Sequence, residues 1–273
     1  MQTGREFTGE LLGTFLLVLF GCGSVANSVL FDAHQGLFQI AITWGVGVSL
    51  AIYATRDLSC AHLNPAVTLA MAACGRMAPR KVGTYLAGQF AGAILGGVAI
   101  YLFFGPSIAS FEAAQGIVRG SEQSVRSARM FGEYYAQGVS MPLAMAAEGF
   151  GTFLLVLTIF FLTEGCNLGR PDEKLAPLFI GLTVASVICL FAPLTQAGYN
   201  PARDFGPRLV AAAMGWGAAA FPDQQGGFFF VYMLAPVLGA LLAGLAFTRL
   251  LEPMMKRGDG CGCGQPKGQG DGI

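Results

Sequence analysis

Charged residues are scarce in this chain. Its 273 residues include 16 Lys or Arg and 16 Asp or Glu, 12% in all, against about 25% in a soluble domain. The net charge is zero and no basic cluster is present, which excludes nucleic acid as a partner because a phosphate backbone needs grouped Lys and Arg. With 2 His and no hydrolase or metalloprotease motif, the groups of acid–base catalysis are also lacking. We expect no enzyme activity, no cofactor and no metal site.

Long apolar segments take the place of charge. Apolar residues make up 54% of the chain and Gly contributes 39 residues, a composition typical of closely packed membrane helices. A helix that spans a bilayer needs about 20 apolar residues. Six segments have this length, and Glu148 is their only charged residue: 11–31, 33–55, 82–111, 142–162, 175–202 and 224–248. We predict an all-α membrane protein with six transmembrane helices.

Two further apolar segments, 65–74 and 201–214, are too short to span a bilayer. Asn is a strong N-cap and Pro suits the first helical turn, so Asn-Pro-Ala predicts a helix start. This tripeptide opens both segments, as Asn64, Pro65 and Ala66 and as Asn200, Pro201 and Ala202. Backbone that ends at bilayer depth must line a cavity or be buried in protein. We therefore predict two re-entrant half helices.

The two halves of the chain repeat each other. Residues 10–19 match residues 148–157 at eight of ten positions, and Asn64 recurs as Asn200, 136 residues later. Each half thus holds three spans and one half helix. Because three is an odd number, the second half must be inverted in the membrane relative to the first.

Domain boundaries follow from the repeat. We predict a single channel domain over residues 1–257, with repeats at about 5–105 and 142–252. The remaining Gly-rich segment, 258–273, lacks the apolar residues that a fold requires. Its Cys261 and Cys263 supply at most half of a metal site.

Lys and Arg are distributed unevenly among the loops. With a cytoplasmic N-terminus, eleven of the 16 lie on the cytoplasmic side and five lie outside. Because Lys and Arg favour the cytoplasmic side, we predict a multi-pass plasma membrane protein with both termini in the cytoplasm. The longest loop, 105–140, is then external.

An inverted repeat brings the two half helices together near the bilayer centre. The positive ends of their dipoles converge there and form a barrier to cations. If the side-chain oxygens of Asn64 and Asn200 cap their own helices, the amide N–H groups face the lumen and donate to one passing oxygen at a time. Water held in this way does not relay protons. We predict a passive channel for small uncharged solutes that excludes ions and protons.

Both re-entrant segments resemble those of a known family. Ala61-His-Leu-Asn-Pro-Ala-Val-Thr68 and Asn200-Pro-Ala-Arg-Asp-Phe-Gly-Pro207 are similar to the signature loops of the aquaporin superfamily, and the resemblance covers nearly the whole chain. Asp204, directly after Arg203, and Ile117-Val-Arg-Gly-Ser121 resemble the glycerol facilitator branch, the aquaglyceroporins. The resemblance implies an aquaporin-like inverted-repeat bundle in the lipid bilayer, normally a homotetramer with a pore in each subunit.

The resemblance also implies an outer constriction, the selectivity filter, formed by Trp44, Ile188, Ala197 and Arg203. Water-selective relatives carry His at the position of Ile188, so a strict water channel is disfavoured. The usual glycerol facilitator resembles Trp, Gly, Phe and Arg at these positions, whereas the set in this chain looks more like that of nodulin-26-like plant channels. Glycerol, with some water, is the leading solute, and urea, ammonia and neutral metalloid hydroxides are alternatives.

Three further polar residues lie near the half helices. Glu10, just before the first charge-free segment, and Glu148 occupy matched positions of the repeat, and a carboxylate in the membrane suggests proton relay or ion coupling by default. Their symmetry favours a structural role, in which each accepts hydrogen bonds from nonhelical backbone beside a half helix. For His62, two residues before Asn64, we likewise favour support of the loop over gating by protonation.

The competing class is an ion-coupled secondary transporter, because inverted repeats and broken helices also occur in transporters. Coupling requires a paired ion site. Arg203 is the only pore-facing charge that the sequence predicts, so we favour the channel.

Overall fold

A computed structural model describes residues 2–221 and 227–257 of the chain. Within this described part, six helical segments are long and apolar enough to cross a membrane, as predicted. The helices are α1 (Gln2–Phe31), α2 (Leu37–Thr55), α3 (Pro65–Ala73), α4 (Val82–Ala114), α5 (Val125–Ala128), α6 (Met141–Thr163), α7 (Ala176–Thr195), α8 (Pro201–Ala211), α9 (Ala235–Ala246) and α10 (Glu252–Arg257). Two π-helical turns, Phe228–Leu234 and Phe247–Leu251, flank α9 and complete the sixth span.

The two repeats pack through equivalent pairs of helices. In the first repeat α1 packs along α4 and α2, and in the second α6 packs along α9 and α7. Between the repeats, α2 packs against α7, and each half helix packs on a full span of the other repeat, α3 on α9 and α8 on α4. Full spans therefore enclose both half helices, as backbone that ends at bilayer depth requires.

Two pairs of helices approach closely at glycine residues. A β-carbon added to Gly239 of α9 would overlap the carbonyl oxygen of Gly149 in α6, and one added to Gly92 of α4 would overlap the carbonyl oxygen of Leu11 in α1. Such contact lets the backbones touch, which is how membrane helices pack tightly when lipid is as apolar as their side chains.

The predicted start of the external loop, at 105, is wrong. α4 continues through Gly105 and Pro106 to Ala114, so the loop begins at 115. Pro106 removes one backbone N–H from the helix, so the carbonyl of Leu102 loses its usual donor, yet α4 continues to Ala114. The loop also contains the short helix α5, with buried Ser127 and Ala128.

Other helix ends also differ from the prediction. α1 begins at Gln2 rather than 11, because its carboxylates have partners in the protein: Glu6 pairs with Lys81 and Glu10 accepts backbone N–H groups. The charge-free run 175–202 is not one helix: α7 ends at Thr195, where Gln196 takes a left-handed φ of 63° and turns the chain towards the second half helix.

The second half helix is shorter than the predicted 201–214. α8 ends at Ala211 and continues as a π turn over Ala212–Trp216, in which Gly215 has a φ of 106°. The predicted start of the last span, at 224, lies outside the described residues. The same is true of the tail 258–273 with Cys261 and Cys263.

Candidate pore

Asn64 and Asn200 each cap the half helix that follows them. The Asn64 Oδ1 atom accepts a hydrogen bond from the Ala66 N–H over 2.9 Å. The Asn200 Oδ1 atom accepts from the N–H groups of Ala202 (3.1 Å) and Arg203 (3.2 Å). Pro occupies the first helical position in both cases, where its missing N–H costs nothing. The Asn-Pro-Ala tripeptides therefore start helices in the way that the sequence predicts.

The two asparagines also bind each other's loops. The Asn64 Nδ2 atom donates to the carbonyl of Tyr199 over 2.9 Å, and the Asn200 Nδ2 atom donates to the carbonyl of Leu63 over 2.7 Å. A carboxamide has two N–H donors, so one N–H of each Asn crosses to the opposite loop and the second remains for the lumen. The sequence predicts N–H groups that face the lumen, and this cross-connection between the loops is an additional feature of the structure.

Both loops that lead into the half helices contain left-handed, non-glycine residues at matched positions. Ala61 and Leu63 have φ angles of 49° and 53°, and Ala197 and Tyr199 have φ angles of 67° and 53°. This conformation costs each such residue roughly 1–3 kcal/mol, so surrounding contacts must hold it. In a helix these backbone groups would bond to one another, whereas here they require other partners.

Glu10 and Glu148 provide those partners. Glu10 accepts hydrogen bonds from the N–H groups of His62 (3.0 Å) and Leu63 (2.7 Å). Glu148 accepts from those of Gly198 (2.9 Å) and Tyr199 (2.8 Å). Both carboxylates are fully buried. Each repeat thus uses one glutamate of its first span to hold its own strained loop.

The first loop has additional polar contacts. Glu10 also accepts from the hydroxyl of Ser59 and the amide of Gln89, both over 2.7 Å. His62 Nδ1 lies 3.2 Å from the Thr68 hydroxyl, which ties the loop to the first turns of α3.

A cavity of about 500 Å³ runs between the two repeats. Its wall includes seven of the residues singled out from the sequence: Trp44, His62, Asn64, Ile188, Ala197, Asn200 and Arg203. Pro65, Ala66, Pro201 and Ala202 are buried behind the asparagines. The cavity therefore passes the point where both half helices begin, and it has the course of a pore.

The guanidinium of Arg203 contacts an aromatic ring and a carboxylate. Its guanidinium carbon lies 4.1 Å from the centroid of the Trp44 ring, a cation–π contact. Its Nη2 atom pairs with the carboxylate of Glu133, and both side chains are buried. Its Nη1 atom has no hydrogen-bond partner within the described part of the chain. Nη1 is itself buried, but Arg203 as a residue lines the cavity, so its guanidinium adds a cationic group to that wall.

Glu133 is the functional candidate that the sequence argument missed. It lies in the external loop, outside every motif, and no spacing relates it to Arg203, 70 residues later. Burial raises the pKa of its carboxyl to about 7, although the positive charge of Arg203 opposes the shift. The charge of Glu133, and so the pairing of Arg203, is therefore sensitive to pH near neutrality.

Asp204 holds the backbone at this end of α8 and is not part of the cavity wall. Its Oδ2 atom accepts from Arg208 Nε over 2.7 Å, and its Oδ1 atom accepts from the backbone N–H of Glu133 over 2.8 Å. Arg208 in turn donates to the carbonyl of Glu133. The residue that marks the glycerol facilitator resemblance thus fixes the external loop beside Arg203.

The cavity wall also includes charged residues that the sequence does not predict there. These are Arg56, Arg76, Glu164 and Glu173. Arg76 pairs with Glu164 over 2.6 Å and with Glu252 of α10 over 2.8 Å. These pairs connect the end of the first half helix to the C-terminal helix.

A cavity bounded by two inverted repeats, with half helices that meet at paired asparagines, defines a membrane channel. Residues 1–247 match the Major intrinsic protein family. The chain is 41% identical over 243 residues to the glycerol uptake facilitator protein of Pseudomonas aeruginosa, which covers 89% of this chain and 87% of that protein. The chain belongs to the major intrinsic protein family and is a channel protein, not an enzyme.

Two further comparisons agree with this assignment. The propanediol uptake facilitator of Citrobacter freundii is 42% identical over 243 residues, which are 89% of this chain and 90% of that protein. The X-ray structure of the aquaglyceroporin from Plasmodium falciparum matches with a TM-score of 0.82 at 23% identity, over 93% of this chain and 99% of that one. The latter establishes the aquaporin-like fold.

Proposed function

We propose that this protein is a passive channel for glycerol and related small uncharged solutes, with some water. The observation that carries the proposal is the mixed wall of the outer cavity, where the guanidinium of Arg203 lies beside the apolar surfaces of Trp44 and Ile188. Glycerol has hydroxyls along one edge and carbons along the other, so such a wall matches both edges. By resemblance, Ile188 stands where water-selective relatives carry His, which disfavours a strict water channel.

The names of the relatives support the same class of solute. Proteins at 41% and 42% identity are called glycerol and propanediol uptake facilitators, and both names refer to short polyols. We carry glycerol over to this chain on the basis of that identity and of the cavity wall. Urea, ammonia and neutral metalloid hydroxides are additional candidates because Ala197 lacks a ring that would narrow the constriction.

Ion exclusion belongs to the proposal. Asn64 and Asn200 begin two half helices whose positive dipole ends point at the centre of the cavity, and Arg203 adds a cationic group at the outer constriction. We assign the selectivity filter to Trp44, Ile188, Ala197 and Arg203 and the central constriction to the two Asn-Pro-Ala tripeptides. Glu10, Glu148 and His62 support the loops.

The setting of the channel is proposed on similar grounds. Residues 1–257 form one channel domain, placed in the plasma membrane with both termini in the cytoplasm, as the distribution of Lys and Arg favours. Four copies assemble as a homotetramer, by resemblance to the family. Light scattering of the purified protein in detergent measures its mass and tests the assembly.

A liposome experiment tests the solute. Purified protein is reconstituted, and light scattering is followed after an inward glycerol gradient and, separately, after an impermeant osmolyte. Rapid glycerol re-swelling that does not saturate and does not depend on ion gradients supports the proposal. Rapid osmotic shrinkage without re-swelling identifies a water channel instead, and saturable flux that follows a proton or sodium gradient identifies a coupled transporter. Protein-free liposomes are the control.

A further inference from the structure

The external loop contacts α8 near its start and the segment that follows its end. Near the start, Glu133 pairs with Arg203, and its N–H donates to Asp204 over 2.8 Å. After the end, the ring of Phe131 lies 5.4 Å from the ring of Trp216. Phe131 and Trp216 are both fully buried. A single residue, Gly132, thus separates Phe131 of the packed aromatic pair from Glu133, the partner of the pore arginine.

Arg119 anchors the aromatic end of this arrangement. Its guanidinium donates to Glu112 Oε2 through Nε (3.0 Å) and Nη2 (2.7 Å). The same guanidinium lies 4.1 Å from the centroid of the Trp216 ring, and its Nη1 atom donates to the carbonyl of Met214 over 3.3 Å. Arg119 therefore connects the outer end of α4 to the chain that follows α8.

Ser127, in the loop, connects Glu112 to Trp216. Its hydroxyl donates to Glu112 Oε1 over 2.6 Å, and the indole N–H of Trp216 donates to the Ser127 hydroxyl over 2.9 Å. Ser127 is fully buried, as is Trp216. One carboxylate thus holds both Arg119, which lies over the ring of Trp216, and Ser127, which accepts from the N–H at the edge of that ring. A network in which every polar group has a partner fixes one geometry.

The loop has little freedom between this network and the pore. A β-carbon on Gly132 would lie 2.5 Å from Cγ of Arg208, so the backbone passes directly against that side chain. Arg208 also donates to the carbonyl of Glu133. With Phe131 packed on Trp216 and the Glu133 backbone bound by Asp204 and Arg208, the Glu133 carboxylate is directed at Arg203.

We propose that Arg119 is a positioning residue for the outer constriction. Through Trp216 and Phe131 it holds Glu133 on Arg203, and so determines how many guanidinium N–H donors Arg203 turns towards the lumen. Within the described part of the chain Arg119 does not line the cavity, so its effect on solutes is indirect. The proposal deepens the proposed function and rests on it.

A double-mutant cycle tests this role. Arg119→Gln loosens Glu133, so Arg203 turns more donors to the lumen and retains water longer. We expect the ratio of water to glycerol permeability to fall about threefold or more, and Glu133→Gln to lower it in the same direction. If Arg119 acts through Glu133, the double variant equals Glu133→Gln alone.

Arg126→Gln is the matched control. Arg126 lies in the same loop, donates to Gln115 over 3.1 Å and lies 5.9 Å from the ring of Phe111, without contact to Trp216. We expect its permeability ratio to be that of the wild type. Arg119→Lys keeps the charge and loses the two-point contact with Glu112, so its ratio falls less than that of Arg119→Gln and provides a variant closer to the native fold.

Three results overturn the proposal: an unchanged ratio in folded Arg119→Gln, effects of Arg119→Gln and Glu133→Gln that simply add, or an equal loss of water and glycerol flux in both Arg119 variants. The permeability of the wild type distinguishes failure of the positioning role from failure of the proposed function. A wild type that conducts water but no glycerol overturns the glycerol channel, whereas a wild type that conducts both, with Arg119 variants that keep its ratio, overturns the positioning role alone.

Discussion

The guanidinium of Arg203 stacks on the ring of Trp44, with 4.1 Å between the guanidinium carbon and the ring centroid. A second face of Arg203 pairs with Glu133. Arg203 is thus a buried cation with two partners, an aromatic ring and a carboxylate, and it also lines the cavity. Substitution of Arg203 or Glu133 should therefore change the outer constriction.

Removal of the arginine charge is expected to weaken ion exclusion. In Arg203→Val the cationic group at the outer constriction is lost, so we expect increased proton or cation leak and weaker discrimination among solutes. A pH-sensitive dye inside proteoliposomes under a proton gradient measures the leak. Because the single change strands Glu133 as an unpaired buried charge, Arg203→Val with Glu133→Gln is the better-folded variant. Proton leak and selectivity equal to those of the wild type in that variant argue against the assigned role.

External pH is expected to change the permeability ratio. Burial raises the pKa of Glu133 to about 7, so the carboxyl is ionised and paired with Arg203 above this pH and becomes neutral below it. The charged groups around it include Arg203, Asp204, Arg208 and Arg129, together with Glu148. On acidification Arg203 loses its anionic partner and offers more donors to water, and we expect water permeability to fall relative to glycerol. Stopped-flow light scattering at external pH values below and above about 7 measures the ratio of water to glycerol permeability.

Glu133→Gln is the control for this pH effect. Glutamine keeps the size of the side chain and does not titrate, so we expect a low ratio that is independent of pH. A variant that retains the pH profile of the wild type would show that another group titrates.

A larger side chain at position 197 is expected to narrow the pore. Ala197→Phe adds a ring to the cavity wall, so we expect flux of polyols longer than glycerol to fall most, glycerol less and water least. Re-swelling rates for a series of polyols provide the measurement. Ala113→Phe, at an exposed position of α4, is the control for insertion of a phenyl ring. Proportional changes for all polyols would place Ala197 outside the constriction.

Substitution at the contact between α6 and α9 is expected to destabilise the bundle. A β-carbon on Gly239 overlaps the carbonyl oxygen of Gly149, and overpacking typically costs about 1–3 kcal/mol. We therefore expect Gly239→Ala to lower the thermal unfolding temperature in detergent. Gly83→Ala, where a β-carbon meets nothing within 4 Å, is the matched control and should be neutral or slightly stabilising. Equal unfolding temperatures for the two variants would contradict the close approach.

The parts of the fold that depend on local pattern were predictable from the sequence. The spans follow from apolar length, and the half helices follow from Asn64-Pro65 and Asn200-Pro201, because capping preference and backbone geometry act within a few residues. The contacts of Glu10 with the loop at His62 and Leu63 agree with the role inferred from the symmetry of the repeats. Helix ends were less accurate, as the continuation of α4 past Pro106 shows, because packing and solvation decide them.

The parts that depend on distant residues were not predictable. Glu133 reaches Arg203 because Asp204 and Arg208 hold its backbone. No single segment of the sequence indicates that arrangement. The bond from Asn64 to the carbonyl of Tyr199 also requires the relative placement of both repeats. Pattern reasoning identified which residues surround the pore, whereas their hydrogen-bond partners emerge only from the three-dimensional fold.

The exchange of amide bonds between the asparagine loops has a consequence for biosynthesis. Asn64 is synthesised well before Tyr199, and until the second half inserts, its crossing N–H and the carbonyl of Leu63 lack these partners. Neither half alone contains the complete centre of the pore. We therefore expect the permeation pathway to form late, after both halves have docked, so that a partly made chain in the membrane is not yet a leak.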